Sequence, residues 1–295
     1  MRLRFLKMLL IFSFGIFSIP VEGQYYQTRD LTLENTFSEN IEGPNVDNKG
    51  NLFVVNYGQD GTIGIIKPNG KASLYVTLPN GSIANSIMFD ANEDLLLADW
   101  KGHNILKVDK NSKTVSIYHH NELFNQPNDL CINKSGQLFA SDPSWKNGTG
   151  QLWRIDISRN AFLLEDSMGT TNGIELSPDE KILYVNESVQ RRIWAYDLDK
   201  EGNISNKKLF ISFDDFGLDG MKCDLKGNLY IARYGKGVIA IVTPEGVLVQ
   251  EVRLKGKSVS NIAFGGKDGR TCYVTMQDRK CVETFRSEIP GKRWR

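Results

Sequence analysis

An oxygen-bearing side chain ten or eleven residues ahead of a strand core recurs six times in this chain, and that recurrence limits the folds open to it. The cores begin at Leu52, Leu95, Leu138, Leu183, Leu229 and Cys272. The polar residues ahead of them are Glu42, Asn85, Asn128, Asn172, Asp219 and Asn261. Successive cores are 43, 43, 45, 46 and 43 residues apart. A unit of this length cannot bury its apolar face alone, so units must stack. One fixed polar residue in each points to a closed radial array sharing an axis.

Each unit reads as a hairpin. In the third, Asn128 to Ile132 is a short apolar strand, Asn133-Lys134-Ser135-Gly136 a polar turn, and Gln137 to Asp142 a returning strand. Asp47 to Gly50, Asp90 to Glu93, Ser177 to Glu180 and Asp224 to Gly227 occupy the same turn, and the fourth and sixth units carry one extra residue there. Two weaker strands per unit, such as Gly150 to Ile155 and Ala161 to Leu164, complete a four-stranded blade. The expected fold is all-β: a six-bladed β-propeller filling residues 24–295 as a single domain. The sixth unit ends soon after Phe285, so the segment at residues 25–41 is expected to supply the missing outer strand and close the ring.

A hairpin brings its ends together, so the residue four positions after each core is expected at the same mouth as the first polar ring. These residues are Asn56, Asp99, Asp142, Glu187, Arg233 and Met276, five of them polar or charged. The two rings together predict a binding mouth. The competing reading is that Asn and Asp near loops are turn formers. Trp100, Trp145 and Tyr234, beside the second ring, are read as blade packing ahead of pocket wall.

Residues 1–23 have a basic start (Arg2, Arg4, Lys7), an apolar run from Met8 to Ile19 and a small residue before Gln24, the pattern of a secretory signal. The apolar run is too short to span a bilayer, with an uncleaved anchor as the alternative. The expected protein is exported and monomeric. The whole chain has a formal charge of +1. Residues 1–23 carry three basic side chains and one acid, so removing them leaves −1. Near-neutral charge argues against a nucleic-acid or membrane partner. The tail with Lys292, Arg293 and Arg295 reads as a solvated end. Cys131 and Cys223 read as small buried hydrophobes, whereas Cys272 and Cys281 flank one hairpin where a disulfide is conceivable. Three histidines, His103, His119 and His120, do not make a histidine-rich zinc site. No GxSxG elbow or glycine-rich phosphate loop occurs.

The first ring favours a hard cation. Carboxylates and carboxamides are oxygen donors, and Ca2+ takes six to eight of them. Glu42 and Asp219 carry the charge, with Asn128 and Asn172 completing the shell. Ca2+ is the expected metal, with Mg2+, Mn2+ or Zn2+ as alternatives.

At these residues the chain resembles a known family. Glu42-Gly43-Pro44, Pro127-Asn128-Asp129, Asn172-Gly173-Ile174 with Ser177-Pro178-Asp179, Leu218-Asp219-Gly220-Met221 and Ser260 to Gly266 are similar, in order, to motifs of the gluconolactonase, regucalcin and senescence-marker-protein family of six-bladed propellers. The resemblance runs through the whole chain after the leader. It implies a lactone hydrolase whose one divalent cation is held by Glu42, Asn172 and Asp219, with Asn128 beside metal and substrate. Family members that act on sugar acids often carry an Arg two residues before the equivalent of Asn128, where this chain has Gln126. Arg233 is the expected replacement charge for substrate, or else a partner of Asp219. Asp219 is the expected catalytic base toward a lactone or other ester, with Glu187 or Asp142 as proton acceptor in its place. Two other readings remain open: hydrolysis of organophosphates or other esters at the same site, and a non-catalytic propeller that binds a carbohydrate or another ligand.

Overall fold

The computed structural model describes residues 25–79 and 81–292; the expected export signal at residues 1–23 lies outside them. Among the described residues there is no helix, and 24 strands form six four-stranded antiparallel sheets. Blade 1 comprises Phe37–Val46, Leu52–Tyr57, Thr62–Ile66 and Ala72–Thr77. Blade 2 comprises Ala84–Phe89, Leu95–Asp99, Asn104–Val108 and Val115–His120. Blade 3 comprises Leu130–Ile132, Leu138–Ser144, Thr149–Ile155 and Ala161–Met168. Blade 4 comprises Thr171–Leu176, Ile182–Glu187, Arg192–Leu198 and Ile204–Ser212. Blade 5 comprises Met221–Cys223, Leu229–Arg233, Val238–Val242 and Leu248–Arg253. Blade 6 comprises Val259–Gly265, Thr271–Met276 and Cys281–Arg286, and its fourth strand is Arg29–Asp30 from the chain's beginning. The propeller is therefore six-bladed, and its ring is closed by the N-terminal segment as expected. Arg279 reinforces the closure by pairing with Asp30 at 2.7 Å and Glu34 at 2.7 Å.

The first strand of every blade contacts the first strands of both neighbours, which places these six strands around the axis. Alternate side chains of the strands point to opposite blade faces, so the apolar core divides into six wedges, one between each pair of adjacent blades. Cys131 and Cys223 lie in two of these wedges, as the sequence indicates. All four cysteines are free and buried. Cys272 pairs across the hairpin with Phe285 while Cys281 pairs with Met276, so these two cysteines sit at opposite ends of the hairpin and cannot bridge.

The turn after each innermost strand is built as its sequence predicts. The carboxylate of Asp47 accepts hydrogen bonds from the Lys49 and Asn51 amides, and Asp224 does the same for Lys226 and Asn228. In blade 6, however, Phe264 pairs with Cys272, whereas in blade 3 Ile132 pairs with Leu138. The sixth turn is therefore two residues longer than the third, one more than the sequence spacing indicates. Counted from the turn, Ser260 takes the place expected for Asn261, and Asn261 sits one step deeper, level with Asp129.

Candidate metal and substrate site

Glu42, Asn128, Asn172 and Asp219 lie on the innermost strands of blades 1, 3, 4 and 5 or on the residues leading into them, all buried at the mouth opposite the turns just described. Pairing extends past the short strands to hold them. The Asn128 amide donates to the Ser141 carbonyl at 2.9 Å and the Asp219 amide to the Ala232 carbonyl at 2.9 Å. In blades 1, 4 and 5 the residue after the ligand candidate is glycine, and the next blade crowds it. A Cβ on Gly220 would lie 1.9 Å from Cγ of Asn261, and one on Gly43 would lie 2.6 Å from the Ser86 backbone, with φ already at +54°. Asp129 is the exception at this level, a full carboxylate where those three blades have glycine.

The electrostatics converge on one point. The carboxyls of Glu42 and Asp219 are hydrogen-bonded to each other, and Asn172 bonds to Asp219. Burial, then the charges of Asp219 and Asp129, push Glu42 well above the usual carboxylate range. Burial pushes Asp219 up to about 8, against the lowering effect of its bond to Glu42. The shared bond favours the proton on Glu42 and the charge on Asp219. Oδ1 of Asn128 and Oδ2 of Asp129 are buried acceptors without a hydrogen-bond partner. Two acids pushed up by burial, with the orphaned Asn128 oxygen at the same mouth, suit a hard divalent cation, which would relieve all three. Among the described residues no three His, Cys, Asp or Glu side chains form a metal cluster; here two acids are joined by carboxamides.

Beneath this group the axis is filled by charge. Burial opposes the charge of Lys222, but the carboxylates of Asp129 and Glu175 outweigh it and keep the ammonium protonated. Glu175 lies 3.9 Å from Lys222 and 2.7 Å from Nζ of Lys292, which also donates to the Leu176 carbonyl. The tail is thus not a solvated end at Lys292. Gly291 bridges to Asp224, the Lys292 amide bonds to the Cys223 carbonyl, and the side chain turns up into the lower end of the axis. A cavity of about 650 Å3 opens there, lined by Glu175, Lys222, Lys292, Cys131 and Phe264 among others. The axial charges in its lining, Glu175, Lys222 and Lys292, are already paired with one another.

Residues 42–278 match the family model described as SMP-30/Gluconolactonase/LRE-like region. The chain belongs to this family. It is 31% identical over 241 residues to a gluconolactonase of Zymomonas mobilis, covering 71% of this chain and 65% of that one. With a 6-deoxy-6-sulfogluconolactonase of Pseudomonas putida it shares 29% over 183 residues, 56% of this chain and 62% of the other. The matched region therefore spans a little under two thirds of these relatives. The solved structure of a calcium-binding protein, regucalcin, from Agrobacterium tumefaciens superposes with a TM-score of 0.79 at 21% identity, covering 90% of this chain and 95% of that one, which is a likeness of fold.

In this SMP-30/gluconolactonase-like propeller the polar residues of the second ring bond to the segments that enter the innermost strands. Asn56 donates to the Asn40 carbonyl at 2.7 Å. Asp99 accepts from the Ile83 amide, and Asp142 from the amides of Asn125 and Gln126 and the indole of Trp153. Glu187 accepts from the Gly169 amide and pairs with Arg192 at 2.9 Å. Arg233 is fully buried over the Phe213 ring and donates to the carbonyl and carboxylate of Asp215. Met276 packs in an apolar wedge. Each polar member ties down the segment that enters the innermost strand of its own blade. Asp142, Glu187 and Arg233, expected at the substrate, thus make these contacts within the protein. The carboxylates of Asp142 and Glu187 are taken by loop amides, the Trp153 indole and Arg192, while Arg233 pairs with Asp215 through Nη2 and keeps Nε and Nη1 without hydrogen-bond partners. Asp142, pushed up to about 6 by burial, still serves as a strut. Gln126 stays half-buried beside Asn128, in a loop positioned by Asp142. His103 and His120 bond to the Phe124 carbonyl and Asn104, while His119 packs on Phe124.

Asp129, Lys222, Glu175 and Lys292 were not predicted as members of the axis. The only sequence signal for Asp129 is an acid where sister blades have glycine. Trp145 and Tyr234, expected to pack within blades, are instead exposed at the mouth.

Proposed function

We propose that this chain is an exported lactone hydrolase that opens sugar-type lactones with the help of one divalent cation, Ca2+ foremost, and acts as a monomer. The observation that carries the reading is the hydrogen-bonded Glu42–Asp219 carboxyl pair with the unsatisfied Asn128 oxygen at one mouth of the propeller. The names of the curated relatives, gluconolactonase and sulfogluconolactonase, support the reaction class.

Glu42, Asp219 and Asn172 would hold the cation, with Asn128 at its edge. Bound there, it supplies Lewis acidity toward a lactone carbonyl. The remaining work belongs to side chains. Asp219 takes a proton from water as the water oxygen bonds to the carbonyl carbon. That proton passes to the ring oxygen as the carbon–oxygen bond of the ring breaks, and a hydroxy acid leaves. The Asn128 carboxamide, with no intramolecular partner for its oxygen, orients substrate hydroxyls, and Gln126 lies beside it. Glu187 and Asp142, held by backbone amides, are struts for these loops and not proton acceptors.

A panel of sugar lactones and phosphotriesters, assayed with Ca2+ and with chelator, tests the proposal. Metal-dependent lactone opening, lowered by orders of magnitude in Asp219→Asn, is the expected result. Turnover of phosphotriesters alone would make the protein an organophosphate hydrolase, and turnover of neither would leave a binding propeller. The intact mass of exported protein tests the leader: a chain beginning at or near Gln24 is expected.

A further inference from the structure

The mouth of the candidate site is chemically lopsided. On blades 3 to 5, large apolar side chains stand in solvent: Trp145 is 43% exposed, Val189 61%, Phe216 49% and Tyr234 39%. The loops that carry these four are bonded one to the next, so the four make up one side of the mouth. The turn of Trp145 ends at Gly148, whose carbonyl accepts from Gln190 beside Val189. The Ser188 carbonyl accepts from the Leu218 amide, and the Gly217 amide, next to Phe216, donates to the Tyr234 carbonyl at 3.1 Å. The Phe216 ring lies over Gly235. Asp219 is three residues beyond Phe216, which puts this loop at the mouth that holds the carboxyl pair. Across the mouth, blades 6 and 1 present polar groups: Lys257 bound to Asp278, and Ser38 and Asn40 bound to Asp60. Among the described residues the large apolar groups exposed on these two blades are Leu33, which follows the outermost strand of blade 6, and Leu74, on the outermost strand of blade 1.

Phe216 adds a second, independent sign. Its φ is +47°, in the left-handed region that bulky side chains avoid. Such strain persists only where surrounding contacts over-determine it, and it gathers at ligand-binding places. Here it holds an aromatic ring in water at the edge of a reactive site.

We infer that this wall is the specificity surface of the lactonase site. It takes lactones whose polar ring carries an apolar appendage, an alkyl, acyl or aryl group, in preference to lactones with hydroxyls alone. The appendage lies against Trp145, Val189, Phe216 and Tyr234 while the ring hydroxyls face blades 6 and 1. The inference rests on the lactonase reading and narrows its substrate class.

The test uses a series of glucono-lactones bearing 6-O-methyl, butyl and octyl ethers, whose appendage is not itself hydrolysed, with the corresponding lactams as inert ligands. Over the first four carbons each added methylene is expected to raise kcat/KM, and lactam affinity by calorimetry, about twofold to fourfold, since the wall covers an appendage on one side. Binding of the butyl lactam should also shift Trp145 fluorescence. Phe216→Asn, which suits the left-handed backbone, and Val189→Ser should bring the butyl-to-parent ratio close to one. Leu163→Ser, on the outer strand of blade 3, should leave it unchanged. Hydrolysis of the unsubstituted lactone with no dependence on chain length, or a ratio untouched by Phe216→Asn and Val189→Ser, overturns the inference while the lactonase reading stands. If no lactone is opened and no lactam bound by folded, Ca2+-loaded protein, both fail.

Discussion

Replacing Asp219 by Asn should reverse the order of stability between metal-free and metal-loaded protein. Without a cation, Asp219 and Glu42 are two buried acids that share a hydrogen bond, and Asp219 titrates at about 8 against an ordinary 3.8. Because the folded value is the higher one, the folded protein binds this proton more tightly than the unfolded chain does. The resulting stability is complete below about pH 4 and is lost as pH rises through about 8. Each tenfold difference in proton affinity between folded and unfolded chain is worth about 1.4 kcal/mol, so metal-free protein gives up roughly 4 kcal/mol between pH 5 and 8. For a domain of this size that is a fall in Tm of about 8 °C. An asparagine at this position has no proton to lose, so the variant in chelator should melt above the parent at pH 8.5 and show a flatter pH profile. Calcium at about ten thousand times its Kd returns roughly 5.5 kcal/mol to the parent and little to the variant, more than the parent has lost, so the order inverts. Scanning calorimetry of both proteins from pH 5 to 8.5, with chelator and with Ca2+, reads all four states. A parent profile that is flat in chelator, together with a variant no more stable than the parent at pH 8.5, would refute the idea that these carboxyls form a strained pair awaiting a cation.

Other substitutions probe the scaffold around the pair. Arg233→Met should act on stability and not on substrate. Loss of the guanidinium frees the loop at Asp215, lowering Tm by several degrees, while KM for lactones stays within about twofold; a large rise in KM with unchanged Tm would restore a substrate role. Gly220→Ala drives a methyl into the Asn261 amide and should cost about 2 kcal/mol or more in denaturant unfolding, and Asn261→Ala in the same chain should recover part of it. Arg279→Ala unties the closing strand from Asp30, Glu34 and the buried Glu283, so limited proteolysis should cut first near Arg29, and faster than in the parent; unchanged cleavage would mean that backbone pairing alone closes the ring.

The propeller was legible because its repeat length, turn residues and alternating strands agree with one another, and Asx-locked turns such as Asp47 to Asn51 use the side chains that mark them. The four ligand candidates were legible for a related reason: each sits at a fixed distance from a strand core. Asn261 slipped because that distance was measured across a turn two residues longer than its counterpart in blade 3, and one residue of slip moves a side chain to the other face of a strand. The contacts of the second ring were hidden for a related reason. Sequence places Asp142 and Glu187 at the correct end of the blade, but not the direction in which their carboxylates turn, and backbone amides of the incoming loop claim them first. Lys222, Glu175 and Lys292 were hidden because their partnership joins blades 4 and 5 to the tail beyond blade 6, with no local pattern to announce it.

Lys292 makes the propeller a cul-de-sac. With Asp129, Lys222, Glu175 and the tail filling the axis below the carboxyl pair, whatever enters above must depart by the same doorway. For a reaction that turns a neutral ring into an open-chain acid, the departing molecule stands in the path of the next arrival. If the proposed lactone opening takes place at this mouth, entry and exit share it, and progress curves should bend early as hydroxy acid accumulates.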